Sequence, residues 1–215
     1  MKGNNTKKLA IYGLFIALIF LLGLTNLGYI RLSFAAITTV HIPVIIGAFV
    51  LGVKGGAVLG FFFGLTSLIQ CFMAPDAIAA IVLGTGSESG FGFYNVLLII
   101  TIIFIPRILA GVLSAIAYRA LSKIDKTEVF AMGAAAVIGA LTNTVLLLGG
   151  LCLLASEQTA AAFGVGTTAK ALFAAILGVV TTNGIAEAIA AVIIGVAVGK
   201  AVSVYLKRHP LEKNV

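Results

Sequence analysis

Six apolar runs, separated by short polar or glycine-rich breaks, organise this chain: residues 9–24, 39–53, 55–73, 96–121, 130–154 and 171–206. A membrane-spanning helix needs about 20 predominantly apolar residues. The pattern therefore predicts an all-α, polytopic membrane protein with six transmembrane helices, residues 1–215 forming one transmembrane domain. Counts of five or seven stay open, because 171–206 is long enough to bend or to begin as a re-entrant piece. The breaks fall into two classes. Residues 52–56 and 122–127 are short turns, whereas 25–38, 74–94 and 155–168 are long. The first long one alternates around Tyr29-Ile-Arg-Leu-Ser-Phe34, as a short strand or lid would. The second holds the glycine-rich stretch from Gly84 to Tyr94, expected to be a flexible external lid.

Composition reinforces the membrane reading: 61% of residues are hydrophobic and only 10% charged, where a soluble domain carries about 25% charged residues. The basic start (Lys2, Lys7, Lys8) precedes an apolar run without a clean cleavage site, so 9–24 is read as a retained first helix. A net charge of +7 would suggest nucleic acid until the charges are placed. With six spans and both termini cytoplasmic, Lys2, Lys7, Lys8, Lys54, Arg119, Lys123, Lys126, Lys200, Lys207, Arg208 and Lys213 fall inside. Only Arg31 and Lys170 fall outside, beside Asp76, Glu88 and Glu157. That is the positive-inside pattern, so the basic excess sets orientation and implies no nucleic-acid partner. Cys71 and Cys152 lie in apolar runs, where a free thiol behaves as a small hydrophobe.

Against this background Arg107 stands out, in Ile105-Pro-Arg107-Ile-Leu-Ala-Gly111. A guanidinium in hydrocarbon costs roughly 2.5–3.5 kcal/mol on insertion scales, and either a fixed partner or a ligand must compensate it. Depth arithmetic supplies neighbours. Arg107 is twelve residues from Arg119, about 18 Å at the helical rise. Asn143 is fifteen from Glu128, and Glu187 thirteen from Lys200, about 22 and 20 Å, with Asn183 one turn higher. His41 and Gln70 are thirteen and sixteen from Lys54, about 20 and 24 Å. Five helices thus bring their strongest polar group to one level.

The candidate substrate-binding residues are Arg107, Asn143, Asn183, Glu187, Gln70 and His41. Each has a structural reading beside the functional one. Arg107 and Glu187 form an ion pair, or Arg107 meets a ligand. Asn143 glues helices, and His41 hydrogen-bonds where its helix begins. Thr181-Thr-Asn-Gly-Ile-Ala-Glu187 is a straight or a broken helix. Ala10, Gly13 and Ala17 make a small-residue face on the first helix, for intramolecular packing or for another membrane subunit. No catalytic constellation, cofactor motif or metal-ligand cluster appears, and no Gly-x-x-x-x-Gly-Lys-Ser/Thr for ATP. These readings imply a binding cavity for a small anionic or amide-rich solute and no enzyme. A self-sufficient secondary transporter using Glu187 for protons, or a structural membrane scaffold, remain the alternatives.

Several segments, in order along nearly the whole chain, resemble the substrate-binding S components of energy-coupling factor (ECF) vitamin transporters. They are Thr39-Val-His-Ile-Pro-Val-Ile-Ile-Gly47, Leu51-Gly-Val-Lys-Gly-Gly-Ala57, Gly60-Phe-Phe-Phe-Gly-Leu-Thr-Ser67, Ile105–Gly111, Leu141-Thr-Asn-Thr-Val145 and Thr182-Asn-Gly-Ile-Ala-Glu-Ala188. The pantothenate-specific branch is most similar, with riboflavin-type components the nearest rival. The resemblance implies the six-helix, riboflavin-transporter-like fold in the bacterial plasma membrane, both termini cytoplasmic, and no cofactor. It also implies assembly with a transmembrane coupling protein and two ATPases. Ala10, Gly13 and Ala17 would dock the coupling protein. Arg107 and Asn143, with Asn183, would touch the vitamin, and the subunit would topple to release it inside. Where the family often has proline before the helix-six glutamate, this chain has Ala186, which puts a local helix break in doubt.

Overall fold

The computed structural model describes residues 2–31, 36–85 and 90–208. Glu88 and Lys213 of the charge pattern, and the middle of the Gly84–Tyr94 stretch, lie outside them. In chain order come α1 (Lys2–Gly23), β1 (Tyr29–Arg31), β2 (Ala36–Thr38), α2 (His41–Met73) and α3 (Ala77–Leu83). Next are α4 (Phe93–Leu98), a π-helical segment Ile99–Phe104, α5 (Ile105–Leu121), α6 (Val129–Leu154) and α7 (Ser156–Phe163). The chain then runs through α8 (Ala169–Val179), a second π-helical segment Val180–Gly184 and α9 (Ile185–Arg208).

Five helical stretches are long and apolar enough to cross a membrane: Thr6–Gly23, His41–Met73, Phe93–Leu121, Val129–Leu154 and Ala169–Arg208. The second is not one rod. Gly52 inside it has φ 70° and ψ −164°, a conformation open essentially only to glycine. In a straight helix Ala48 and Gly56 would stand about 12 Å apart along the axis. Instead a Cβ on Gly56 would lie 3.2 Å from the Ala48 Cβ, and one on Gly47 would run into the Leu59 side chain. The chain folds back at Gly52, so α2 has two arms, 41–51 and 53–73, corresponding to the second and third apolar runs.

The second arm carries Gly56, Gly60 and Gly64 at four-residue spacing, one face of a helix. A Cβ on Gly60 would meet the Arg107 carbonyl and come 2.7 Å from Ile108 Cα, and one on Gly64 would come 2.8 Å from the Phe104 ring. Gly56 and Gly111 press backbone to backbone. In lipid, close approach of this kind replaces the missing hydrophobic drive between helices. It also sets where Arg107 lies. One cluster of apolar side chains joins α1 (Phe15, Ile19), both arms of α2 (Val44, Ile45, Leu59, Phe63), α6 (Ala136, Ala140) and α9 (Ala191). A second joins Cys71, Val82, Leu98, Ile102, Leu148 and Leu151.

Two short helices stand where the sequence pattern predicted only loops. Asp76 caps α3, its Oδ1 accepting from the Ala79 N–H at 2.8 Å, and Gly84 closes it in the left-handed region. Both are ordinary helix punctuation, hidden from a periodicity reading because α3 is only seven residues long. At the opposite end of the bundle Asp125 accepts from the Thr127 hydroxyl (2.7 Å), the Thr127 N–H (2.9 Å) and the Ala131 N–H (3.0 Å). The Thr127 hydroxyl first, then the Ala131 amide, hold its carboxyl down to about 2. A depressed carboxyl stabilises above its unfolded pKa of about 3.9 and loses that contribution only as pH falls through the folded value. This clasp is therefore unchanged across the physiological range. Glu128 beside it accepts from Ser203 (2.7 Å) and Lys207 (3.0 Å), tying α9 to the α5–α6 turn.

Candidate binding site

Proline decides the surroundings of Arg107. Pro106 has no N–H, so the Ile102 carbonyl four residues earlier lacks its α-helical donor. Arg107 Nη1 donates to that carbonyl at 2.5 Å. The preceding π segment, of a kind frequent at functional sites, widens the helix here. The guanidinium carbon lies 5.6 Å from the centre of the Phe63 ring, a cation–π contact. Arg107 is 6% exposed, and among the described residues its Nε finds no hydrogen-bond partner. Of the two alternatives for Arg107, the ion pair with Glu187 is not formed: among the described residues the one ion pair is Lys207–Glu128.

Glu187 is engaged elsewhere. Its Oε1 accepts from the Thr38 N–H of β2 at 2.6 Å, and its Oε2 from the Thr144 hydroxyl of α6 at 3.0 Å. Both carboxylate oxygens have protein donors while the cation keeps unused ones. Asn143 is 4% exposed and its Oδ1 has no partner among the described residues. Asn183 sits in the second π segment, where the Thr181 and Thr182 hydroxyls bond back to the Leu177 and Gly178 carbonyls at 2.8 and 2.9 Å. The helix is widened there rather than broken, even with Ala186 in place of proline.

These residues surround one cavity, about 830 Å³ with its open mouth included. Arg107, Asn143, Asn183, Glu187 and Gln70 all line it, together with Tyr29, Thr38, Ser67, Cys71, Asp76 and Thr144. Gln70 is partly committed, its Nε2 donating to the Gly23 carbonyl at 2.9 Å. His41 does not line the cavity. It begins α2 at 1% exposure, with neither ring nitrogen partnered among the described residues. The hairpin of β1 and β2 borders the cavity, Tyr29 pairing with Thr38 in antiparallel register. The Tyr29 hydroxyl and Ser67 Oγ lie 2.9 Å apart, and burial raises the phenol's pKa, keeping it neutral.

Sequence reasoning passed over Ser67, Thr38 and Thr144, and met Tyr29 in the alternating segment without assigning its hydroxyl a role. Hydroxyls carry no charge penalty in an apolar run, so nothing in the hydropathy pattern marked them; Thr144 lay next to Asn143 in a segment already singled out. On α1, Ala10, Gly13 and Ala17 are all exposed, and a Cβ on Gly13 would meet nothing within 4 Å. Within the described chain this small-residue face is left exposed.

The profile of the family described as ECF transporter, substrate-specific component, matches residues 7–199. The chain is 33% identical over 207 residues to the pantothenic acid transporter PanT of Lactococcus lactis subsp. cremoris, covering 92% of this chain and 94% of that one. It is 31% identical over 210 residues to the pantothenate transporter PanT of Leuconostoc mesenteroides subsp. mesenteroides, covering 93% of each.

Proposed function

Because this chain belongs to the ECF transporter substrate-specific component family, a family of multi-pass membrane transporter subunits, we propose that it captures pantothenate from outside the cell for an ATP-driven importer. The observation that carries the reading is the buried guanidinium of Arg107 with an unpartnered Nε, lining the same cavity as an unpartnered Asn143 amide oxygen. A monocarboxylate with hydroxyl and amide groups answers both: the carboxylate meets the arginine fork, and a ligand N–H or O–H meets Asn143. Asn183 and Gln70 line the same cavity. Glu187, with both oxygens occupied, belongs to the wall. Riboflavin would require stacking across its ring system, and Tyr29 is the one aromatic lining residue among those described.

In this reading the two arms of α2 cross the membrane separately, six crossings in all, and both termini face the cytoplasm as the basic residues demand. The outward small-residue face of α1 docks a transmembrane coupling protein. Two ATPases drive the assembly, and toppling of this subunit releases the vitamin inside.

Calorimetry of the purified protein against a vitamin panel tests the substrate: saturable binding of pantothenate alone is expected, and preference for another vitamin would displace it. In liposomes the chain by itself binds pantothenate without accumulating it. Proton-driven accumulation without ATPases would sink the subunit reading. For the docking face, Gly13→Leu fills the exposed stripe, so the coupling protein is lost on co-purification while pantothenate affinity stays within about twofold, since surface substitutions usually change stability by less than about 0.5 kcal/mol. Retained co-purification would move the docking surface elsewhere.

A further inference from the structure

Glu187 was expected at the ligand, yet it spends both oxygens on the protein. Oε1 takes the backbone N–H of Thr38 and Oε2 the hydroxyl of Thr144. Thr38 is the strand partner of Tyr29, and Tyr29 is itself held to Ser67 on the second arm of α2. The two members of one cross-strand pair are thus moored to two different helices, Tyr29 to α2 and Thr38 to α9. We infer that Glu187 is a positioning residue that fastens the base of the β1–β2 hairpin over the cavity and thereby sets access to it, without touching the ligand. The assignment builds on the proposed site but not on the identity of the vitamin.

The chemistry specifies which substitution restores the tie. Glutamine keeps an Oε1 for the Thr38 N–H. Its amide N–H can donate to the Thr144 oxygen, and the Thr144 proton then goes to the Ala140 carbonyl, already 3.2 Å away. Alanine removes both acceptors and leaves the Thr38 N–H unpaired.

Cys71 reports on this directly. It lines the cavity at 9% exposure, whereas Cys152 does not line it. In full-length protein carrying Cys152→Ser, in lipid nanodiscs without ligand, the rate of Cys71 labelling by a water-soluble maleimide is the measurement. Glu187→Ala raises that rate roughly tenfold, the scale of its two lost hydrogen bonds. Glu187→Gln stays within about threefold of the parent, and Tyr29→Phe, which cuts a single tie, falls between them. If Glu187→Ala proves unstable, Tyr29→Phe and Thr144→Val carry the same test without removing a buried carboxylate. Parent-like labelling in folded Glu187→Ala, or in both substitutes, overturns the inference. So does labelling of Glu187→Gln as fast as that of Glu187→Ala. Because no ligand is present, failure of pantothenate to bind the parent protein would count against the substrate reading alone.

Discussion

Arg107→Ala lowers pantothenate affinity by at least about 100-fold, while the protein keeps its fold. The size follows from the bonds at stake: hydrogen bonds to a charged group are worth about 1.5–3 kcal/mol each, and every 1.4 kcal/mol is tenfold in Kd. Two such bonds from the guanidinium fork to one carboxylate therefore give about two orders of magnitude or more. The fold survives for a separate reason. In the empty protein the guanidinium is buried with an unpartnered Nε, so truncation removes a desolvated charge as well as a contact. What is left behind is the Ile102 carbonyl without its donor, a penalty of about 1–3 kcal/mol, offset by the relieved cost of the buried cation. Arg107→Lys separates charge from geometry. The ammonium keeps the point charge but loses the planar fork, and it binds at intermediate affinity. Calorimetry on the three proteins, with melting curves alongside, checks this. Normal binding by Arg107→Ala would remove the arginine from the site and the carboxylate argument with it.

The second large effect lies one layer out, at a residue that touches no ligand. Gly60→Val places atoms where the Arg107 carbonyl and Ile108 Cα stand, the latter 2.7 Å from even a bare Cβ. Those are backbone atoms, so no rotamer change relieves the clash and α2 and α5 must separate. Overpacking costs about 1–3 kcal/mol where side chains can adjust; here they cannot, and the cost reaches the top of that range or beyond. Because the same contact positions the turn of α5 bearing Arg107, ligand affinity falls along with stability. The melting temperature drops and pantothenate binding weakens more than tenfold, as a loss of more than 1.4 kcal/mol requires. Gly149→Ala is the matched control in another long helix: a Cβ there meets nothing within 4 Å, and alanine is the better helix former by about 1 kcal/mol. Equal melting temperatures for Gly60→Val and Gly149→Ala would mean that the glycine face of α2 does not set the spacing of these helices.

Much of the candidate site could be read from the residues in order. Polar groups in hydrocarbon are costly enough to be noticed, and the helical rise converts sequence distance into depth. Arg107, Asn143, Asn183, Gln70 and Glu187 were found that way, and all line one cavity. The same arithmetic admitted His41, because depth says nothing about which way a helix face points. It begins α2 at 1% exposure, away from the cavity lining. The two short helices and the wall hydroxyls escaped notice because short capped elements and neutral polar groups leave no mark on hydropathy.

By itself the sequence determined the membrane class, the positions of the long helices and the depth of their polar groups, since these depend only on local hydrophobicity and a constant rise per residue. The partnership of charges was decided by tertiary structure alone. Whether Arg107 pairs with Glu187 depends on helix rotation and on where a distant backbone N–H falls, and Thr38, 149 residues earlier in the chain, takes the carboxylate. Arg107 keeps an unpartnered Nε while a backbone amide of the hairpin holds Glu187, a matter of packing geometry that no spacing along the chain encodes.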